Sequence, residues 1–433
     1  MGACCSTQVK FKGRSHDHRD DYEEKDYDGH EEDHTHVGPD GAIVRLQGSS
    51  TYTSMYTRQG KKGTNQDALT VWENFMGEKN TFFCGVFDGH GPSGHRIAHY
   101  ICDSLPSKVS SEIKLSRENS SKGNECDMEH GRRDDIISSW ETSLIEAFRE
   151  VDVDLSFDES LDSYSSGTTA VTVLKKGEDL LISNLGDSRA VLCTRDDRNL
   201  LVPIQLTNDL KPSIPSEAER IKKCGGRVFA LEEEPSVPRV WMPNQNCPGL
   251  AMARAFGDFC LKDHGLSSIP QVSYRRITNK DEFVVLATDG VWDVLTNNEV
   301  IQIVASVKKR SMAAKLLVYY AVQAWKTKYP GSKIDDCAVV CLFFKKRSLL
   351  SRSRSLTELN QPKESNMDIA ASESPEGGKK TDEGETVINC NITVDQKTLD
   401  EIKRVNAYAN PSRVGSLSRR KAAKDFEGTE AKR

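Results

Sequence analysis

The sequence lacks the features that hold small exported domains together. Its twelve cysteines are scattered and include no Cys-x-x-Cys pair, so they do not indicate a disulfide framework. It also lacks a secretory apolar segment. We therefore expect an intracellular protein with reduced thiols.

Long hydrophobic runs and an excess of positive charge are missing as well. The apolar stretch from Ala313 to Val322 is interrupted by Lys315 and is too short to span a bilayer. The net charge of −6 argues against general binding to nucleic acid, so no nucleic-acid partner is expected. Hydrophobic residues make up 36% of the 433, which is low for a chain that folds throughout.

Periodic apolar patterns occur only in the middle of the chain. Residues 1–47 are polar and charge-rich, and residues 347–433 are rich in Ser, Arg, Glu and Gly, so both segments are expected to be disordered. Residues 48–346 are expected to form one catalytic domain. Inside it, the polar segment 118–135 is expected to be a surface loop.

The apolar periodicity predicts both strands and helices within that domain. Strands are predicted at Thr81–Phe87, Thr168–Leu174, Asp179–Leu185, Ala190–Thr194, Phe283–Ala287 and Ala338–Phe344. Helices are predicted at Ile136–Phe148, Ser216–Lys223, Asn298–Val307 and Met312–Thr327, the second beginning at a Ser216–Glu219 capping signal. Strands in hairpins with helices placed singly or in pairs favour an α+β fold over alternating βαβ units.

Five short runs place acidic residues where strands are expected to end. They are GTNQDA from Gly63, VFDGHG from Val86, GDSRAV from Gly186, ATDGVWDV from Ala287 and IDDCAVV from Ile334. Strands that end in Asp can bring several carboxylates to one rim. An all-oxygen site of this kind suits Mg²⁺ or Mn²⁺.

The acidic runs indicate metal-assisted hydrolysis of a phosphoester. Asp88 is the best candidate to bridge two ions, because it ends an apolar strand and is followed by Gly89. Asp289 is the natural second ligand, and Asp67 and Asp335 complete the set. Two such ions lower the pKa of a shared water, which can then attack phosphorus as hydroxide. His90 follows Asp88 and Gly89 and could protonate the leaving alkoxide.

Six ordered motifs resemble the type 2C, metal-dependent serine/threonine protein phosphatases, and plant members in particular. They are VFDGHGP, SSGTTAV, NLGDSRAVL, LAMARAFGD, ATDGVWDV and DDCAVV. The resemblance runs from about Ser49 to Phe344. It implies an α-β-β-α sandwich of two mainly antiparallel sheets flanked by helices, with two metal ions at one end. The expected activity is hydrolysis of phosphoserine and phosphothreonine in proteins.

The resemblance also implies metal-binding roles. Asp88 would bridge both ions, and Gly89 would bind one through its carbonyl oxygen. Asp289 and Asp335 would bind the other ion. Asp67 would act mainly through coordinated water.

Four further residues take implied roles in catalysis or in a weaker site. Asp187 and Asp293, with Asp289, would form a third metal site. His90 would be the general acid, and Lys62 would help to bind phosphate. Lys62 stands where the family commonly has an arginine, so it would act as a point charge without the bidentate fork.

The sequence departs from the family pattern at two more positions. Gln66 stands where the family often has a glutamate, which removes a carboxylate from the expected shell. The last motif usually reads Asp-Asn, whereas here it is Asp335-Asp336. We assign the ligand to Asp335 by its order in the motif and keep Asp336 as the alternative.

Residues 226–249 correspond to the family's flap beside the active site. The segment carries three consecutive acidic residues and Trp241. Some plant relatives use a flap tryptophan to engage receptors. The residues before Trp241 differ from theirs, so packing in the flap or contact with substrate is the preferred interpretation.

The first residues predict attachment to a membrane. Gly2 followed by Ser6 matches the N-myristoylation pattern, and Cys4 and Cys5 are placed for palmitoylation. One myristoyl chain binds membranes only marginally, so a second signal is needed. The expected location is the cytoplasmic face of a membrane, the plasma membrane first, with the cytoplasm or nucleus as the alternative.

Two other functions are compatible with the same fold. One is an inactive scaffold, which loss of a metal-binding Asp would mark, but Asp88, Asp289 and Asp335 are all present. The other is an enzyme that acts on a small phosphoester. The sequence favours a monomer that acts on phosphoprotein substrates.

Overall fold

The computed structural model describes residues 34–120 and 131–344. The expected terminal segments and lipidation positions lie outside this range. The described residues form eighteen strands: β1 Thr35–Val37, β2 Ile43–Arg45, β3 Gly48–Ser49, β4 Thr53–Arg58, β5 Asp67–Glu73, β6 Thr81–His90, β7 Gly167–Thr168, β8 Ala170–Lys176, β9 Asp179–Leu185, β10 Arg189–Arg195, β11 Leu201–Gln205, β12 Arg227–Ala230, β13 Pro238–Trp241, β14 Pro248–Leu250, β15 Phe256–Gly257, β16 Gln271–Arg276, β17 Phe283–Ala287 and β18 Cys337–Phe343.

Seven α-helices occur in the same described part of the chain: α1 Gly94–Ser120, α2 Gly131–Ser156, α3 Pro215–Lys223, α4 Phe259–Lys262, α5 Asp289–Trp292, α6 Asn297–Ser306 and α7 Ala313–Lys328. Single 3₁₀ turns lie at Pro39–Gly41, Phe75–Gly77 and Arg310–Met312. None of the helices in 34–120 and 131–344 is both long and apolar enough to cross a membrane.

The strands form two large sheets and one small one. The first runs in the order β1-β2-β5-β6-β8-β9-β16, and β7 and β15 extend from the end of β6. The second runs β11-β10-β17-β18-β4-β3, and β12-β13-β14 form the small sheet. Paired strands within the sheets run antiparallel, as in β5 with β6 and β17 with β18.

Side chains of alternating strand residues fill three layers of core. In β6, Phe82, Cys84 and Val86 point between the two large sheets, where they meet residues such as Val284 and Leu286 of β17. Their neighbours in β6 point the other way, onto α1 and α2, and the remaining β17 residues face α6 and α7. The result is the predicted α-β-β-α sandwich.

Two sequence predictions about helices were wrong. Helices α1 and α2 extend into the segment 118–135 from both sides, and residues 121–130 lie outside the described range. Helix α3 begins at Pro215 without a side-chain cap, whereas a capping box is present at Thr296 and Glu299 of α6.

Candidate active site

The antiparallel pairing brings the acidic runs to one rim of the sandwich. Asp88 lies near the end of β6, and Asp289 follows β17. The prediction that all the acidic runs end strands was wrong for two of them, because Asp67 begins β5 and Asp335 precedes β18. In an antiparallel sheet the start of one strand lies beside the end of the next, so all four residues reach the same rim.

Asp67 is held in a buried position by the neighbouring sheet. It is 4% exposed, and the Thr288 hydroxyl donates to its Oδ2 at 2.8 Å. The Ala338 backbone N–H donates to Thr288 Oγ1 at 3.0 Å, so the hydroxyl is fixed in turn. Burial raises the pKa of Asp67 well above its usual range, and the charges of Asp289 and the Asp335–Asp336 pair add to the rise.

The pKa values of Asp88 and Asp289 are raised for the same reasons as that of Asp67. Burial raises the pKa of Asp88 well above the ordinary value, with repulsion from Asp67 and Asp335 adding to it. Burial also raises the pKa of Asp289, and Asp88 is the largest of the charges that reinforce it. These carboxylates repel one another in a poorly hydrated place, so their ionised forms require a compensating positive charge.

Asp335 and Asp336 point in different directions. Both carboxylate oxygens of Asp336 accept backbone N–H groups, from Gly60 at 2.7 Å and from Gln66 at 2.8 Å. Asp335 instead forms an ion pair with Lys62, and its charge reaches Asp67, Asp88 and Asp289. Asp336 therefore joins the loop to the strands and its charge also acts on Asp67, whereas the charge of Asp335 acts on all three buried carboxylates.

Close packing of backbone at two glycines forms this rim. A Cβ on Gly290 would lie 1.8 Å from the Asp336 carbonyl oxygen, and a Cβ on Gly89 would lie 2.4 Å from the Gly94 carbonyl oxygen. Only glycine permits both approaches. They bring Asp289 against the 335–336 loop and the start of α1 against Asp88.

Gln66 is a structural link at the position where a glutamate was expected. Its Nε2 donates to the Gly91 carbonyl at 2.9 Å, and its backbone oxygen accepts from the Gly89 N–H at 3.1 Å. An ionised glutamate could not make the first of these bonds, because a carboxylate has no N–H.

Lys62 supplies positive charge at the mouth of the site. Its side chain is 54% exposed. Burial works against the charged ammonium, but Asp335, Asp289 and Asp88 outweigh it and raise the pKa of Lys62. It is therefore a cation at neutral pH, within reach of the carboxylates and of solvent.

A second acidic group lies next to the first. Asp187 is 3% exposed, and its Oδ1 is buried without a hydrogen-bond partner. The Lys211 Nζ lies 3.7 Å from Asp187 Oδ2. Asp293 is exposed, and its backbone N–H donates to the Asp289 carbonyl at 2.9 Å, which places it one helical turn after Asp289.

His90 is paired with a residue that the sequence did not single out. Its Nε2 lies 2.5 Å from Oδ2 of Asp258, a carboxylate that is 1% exposed. Burial disfavours the charged ring, but Asp258, Asp187 and the Asp88 backbone outweigh it and raise the pKa of His90. Asp258 belongs to the LAMARAFGD motif, where its place after a glycine was the only local signal.

The flap segment is a small sheet of its own. Strands β12, β13 and β14 pair in order, and the Trp241 ring stacks on Phe229 with centroids 5.0 Å apart. The Trp241 indole N–H donates to the Phe229 carbonyl at 3.0 Å, and the side chain is 4% exposed. Trp241 therefore packs within the flap and offers little surface to a partner.

The described residues contain no group of three His, Cys, Asp or Glu side chains that could hold a metal ion by themselves. The eight cysteines in this range are free thiols.

Comparisons with known proteins agree with the motifs. The family model "Protein phosphatase 2C" matches residues 53–328. "Probable protein phosphatase 2C 65" of Arabidopsis thaliana is 53% identical over 347 residues, covering 80% of this chain and 89% of the relative. "Probable protein phosphatase 2C 14" of Oryza sativa subsp. japonica is 54% identical over 325 residues, covering 71% of this chain and 63% of the relative.

A solved structure shares the fold. The serine-threonine phosphatase 2C of Toxoplasma gondii matches 70% of this chain and 99% of its own, with a TM-score of 0.62 and 23% identity. With the family model and the plant relatives, this places the chain in the protein phosphatase 2C family, as a serine/threonine phosphatase.

Proposed function

We propose that this phosphatase requires two divalent cations, Mg²⁺ or Mn²⁺, at the rim where its acidic strands meet. The observation that carries the proposal is the burial of Asp67, Asp88 and Asp289 beside one another, which raises the pKa of each. Burial and mutual repulsion disfavour the ionised forms, and bound cations would stabilise them.

The donor chemistry fits this assignment. All candidate ligands are oxygen atoms, which suit Mg²⁺ and Mn²⁺ rather than zinc or copper.

Each acidic residue has a proposed share in holding the ions. Asp88 would contact both, with Gly89 adding its carbonyl oxygen, and Asp289 and Asp335 would hold the second. Asp67 would act through water. Bound cations of this type lower the pKa of water to give a nucleophile and neutralise the oxygens of the phosphate.

A third and weaker site is proposed at Asp187 and Asp293, together with Asp289. The unpartnered, buried Oδ1 of Asp187 supports it, because a buried carboxylate oxygen without a partner is costly. Lys211 supplies part of the compensating charge there.

Two side chains of this chain would act on the substrate directly. Lys62, exposed at the mouth and positively charged, would bind the phosphate oxygens as a point charge. His90 would give a proton to the serine or threonine oxygen as its bond to phosphorus breaks. The substrates are phosphoproteins, and the reaction releases the free hydroxyl and inorganic phosphate.

We propose that acyl chains on Gly2 and on Cys4 or Cys5 hold the enzyme at the inner face of a membrane. The fold supports this arrangement. Asp40, near the first described residues, pairs with Lys114 near the far end of α1. Gly94, at the start of α1, packs on Gly89. Twenty residues of helix span about 30 Å, so Asp40 lies far from the acidic rim.

The direct test is an assay of the full chain on a phosphothreonine peptide with Mg²⁺, with Mn²⁺ and with EDTA. We expect turnover with either metal, none with EDTA, and none for Asp289→Asn. Asp263→Asn removes the same charge at an exposed position and is expected to leave turnover unchanged. Activity that persists in EDTA or in Asp289→Asn would refute the metal assignment.

A further inference from the structure

The proposed roles of the residues at the acidic rim do not account for the close contact between His90 and Asp258. Asp258 pairs with His90, and its carboxylate is almost fully buried. A buried carboxylate costs folding free energy unless it is paired or hydrogen-bonded. Its Oδ2 lies 2.5 Å from Nε2 of His90, which is short for a hydrogen bond involving nitrogen.

The backbone is built around this contact. Strand β7 lies between β6 and β15, so that Gly167 is the direct partner of both His90 and Gly257. A Cβ on Gly167 would lie 2.3 Å from Asp258 Oδ2 and 2.8 Å from His90 Nε2. The glycine therefore opens the gap through which the carboxylate reaches the ring.

Asp258 adopts a strained conformation to make the contact. Its φ is 50° and its ψ is 46°, the left-handed region that residues other than glycine rarely occupy. Strain of this kind persists only where the surroundings hold it, and it concentrates at functional sites.

A network of buried bonds supports the strained turn. The Asp152 carboxylate accepts the Gly257 N–H at 2.9 Å and the Lys262 ammonium at 2.6 Å. The Asp258 N–H donates to the Ser166 carbonyl at 2.9 Å. The turn is therefore fixed from both sides, and so is the direction of the Asp258 side chain.

The two ring nitrogens of His90 are in different situations. Nε2 is bonded to Asp258, whereas Nδ1 is buried and forms no hydrogen bond of normal geometry within the described residues, although the Asp88 backbone also interacts with the ring. A carboxylate on one nitrogen fixes the tautomer and orientation of an imidazole, which then exchanges a proton at the other nitrogen.

We infer that Asp258 is a positioning residue for His90: it holds the Nε2 hydrogen, fixes the ring plane, and leaves Nδ1 to serve the departing serine or threonine oxygen. The inference rests on the proposed role of His90 as general acid. As the phosphorus–oxygen bond breaks, its electron pair stays on the substrate oxygen, which takes the Nδ1 proton. The attacking water supplies the new oxygen on phosphate, and the neutral ring keeps its Nε2 hydrogen toward Asp258.

The inference is tested by comparing two leaving groups. A phosphothreonine peptide needs a proton on its leaving alkoxide, whereas 4-nitrophenyl phosphate releases a stable phenolate and does not. We expect Asp258→Asn and His90→Asn each to lower kcat for the peptide by about 10²-fold or more, with little change in KM. For 4-nitrophenyl phosphate, kcat should change only a few-fold. The double variant should be no worse than His90→Asn.

Controls separate this inference from the proposed function. Asp263→Asn, an equal loss of charge four residues after α4 begins, should behave as the unmutated enzyme. Equal losses on both substrates would make Asp258 merely structural. If His90→Asn loses peptide activity and Asp258→Asn does not, the inference fails while the role of His90 stands. If His90→Asn keeps full peptide activity, the proposed role itself fails.

A measurement on the unmutated protein covers the case in which Asp258→Asn does not fold. Nitrogen NMR of ¹⁵N-histidine-labelled enzyme, with the His90 signals assigned by their loss in His90→Asn, should show the neutral ring protonated at Nε2. A neutral ring that carries its hydrogen on Nδ1 would overturn the inference.

Discussion

Asp67 and Asp88 lie directly opposite each other on the neighbouring antiparallel strands β5 and β6. Like charges in this relationship destabilise a sheet, because the side chains of facing residues approach closely. This unfavourable pair lies at the rim where Asp289 and Asp335 also converge. The same repulsion that weakens the protein without cations provides the attraction that would bind them.

Replacing Asp88, one member of the facing pair, is expected to change stability and activity in opposite directions. Asp88→Asn removes one charge with almost no change in shape, so we expect loss of phosphatase activity by about 10³-fold or more, because the neutral amide is a poor bridge between two dications. In EDTA the variant should melt at a higher temperature than the unmutated protein, since the repulsion is gone. Activity assays and thermal unfolding measure the two effects, and substantial remaining activity would contradict the assignment.

The raised pKa values predict a specific pH dependence of stability in EDTA. A carboxyl whose folded-state pKa exceeds its unfolded value of about 4 binds more protons when folded. Its contribution to stability is full below that value and is lost as the pH rises through the raised pKa. Asp67, Asp88 and Asp289 all shift in this direction.

We therefore expect the melting temperature in EDTA to fall as the pH rises from about 4 through the range of the raised pKa values, and to fall less in Asp88→Asn. Saturating Mg²⁺ should raise it most at the upper end of this range, because the cations bind the ionised forms. The measurement is thermal unfolding across the pH range with and without Mg²⁺. A melting temperature in EDTA that does not change with pH would contradict the predicted burial and repulsion of these carboxylates.

Much of the domain could be predicted from sequence because its strands are strongly apolar. The pattern at Asp179–Leu185 and Phe283–Ala287 gave the strand bounds to the residue. Residues 118–120 and 131–135 were expected to lie in a surface loop but are helical, because a long helix at the surface carries an apolar stripe on one face only. The edge strands β1 and β3, of three and two residues, are too short to show a period.

The proposed acyl anchor predicts where the enzyme is found in cells. Gly2→Ala removes the myristoyl acceptor and should move the protein from the membrane fraction to the supernatant. Replacing Cys4 and Cys5 together by Ser should weaken membrane binding while leaving myristoylation intact, because one chain holds only marginally. Fractionation with acyl-chain labelling checks both, and Gly2→Ala protein that stays on the membrane would refute the anchor. Phosphatase activity on a soluble peptide should be unchanged, since these substitutions alter no residue of the acidic rim.

The site was harder to predict where contacts join distant parts of the chain. Asp258 is 168 residues from His90, and the space between them depends on the missing side chain of Gly167. Spacing along the sequence carries no information about such a contact. Likewise, the presence of Gln66 where the family often has a glutamate is explained only by the structure, in which its amide donates to the Gly91 carbonyl.

The adjacent residues Asp335 and Asp336 offer a matched pair of variants that separates ligand from support. Asp336→Ala removes a buried acceptor of two backbone N–H groups, and each such bond to a charged group is worth about 1.5–3 kcal/mol, so it should destabilise the domain by about 3 kcal/mol or more.

Asp335→Ala removes a carboxylate whose partner, Lys62, is more than half exposed, and it should cost less than about 1 kcal/mol of stability. It should nevertheless abolish metal-dependent turnover. Chemical denaturation and the peptide assay distinguish the two effects. If Asp335→Ala keeps its activity while Asp336→Asn, which retains one acceptor oxygen, folds but loses turnover, then Asp336 is the ligand and the order of the motif has been misread.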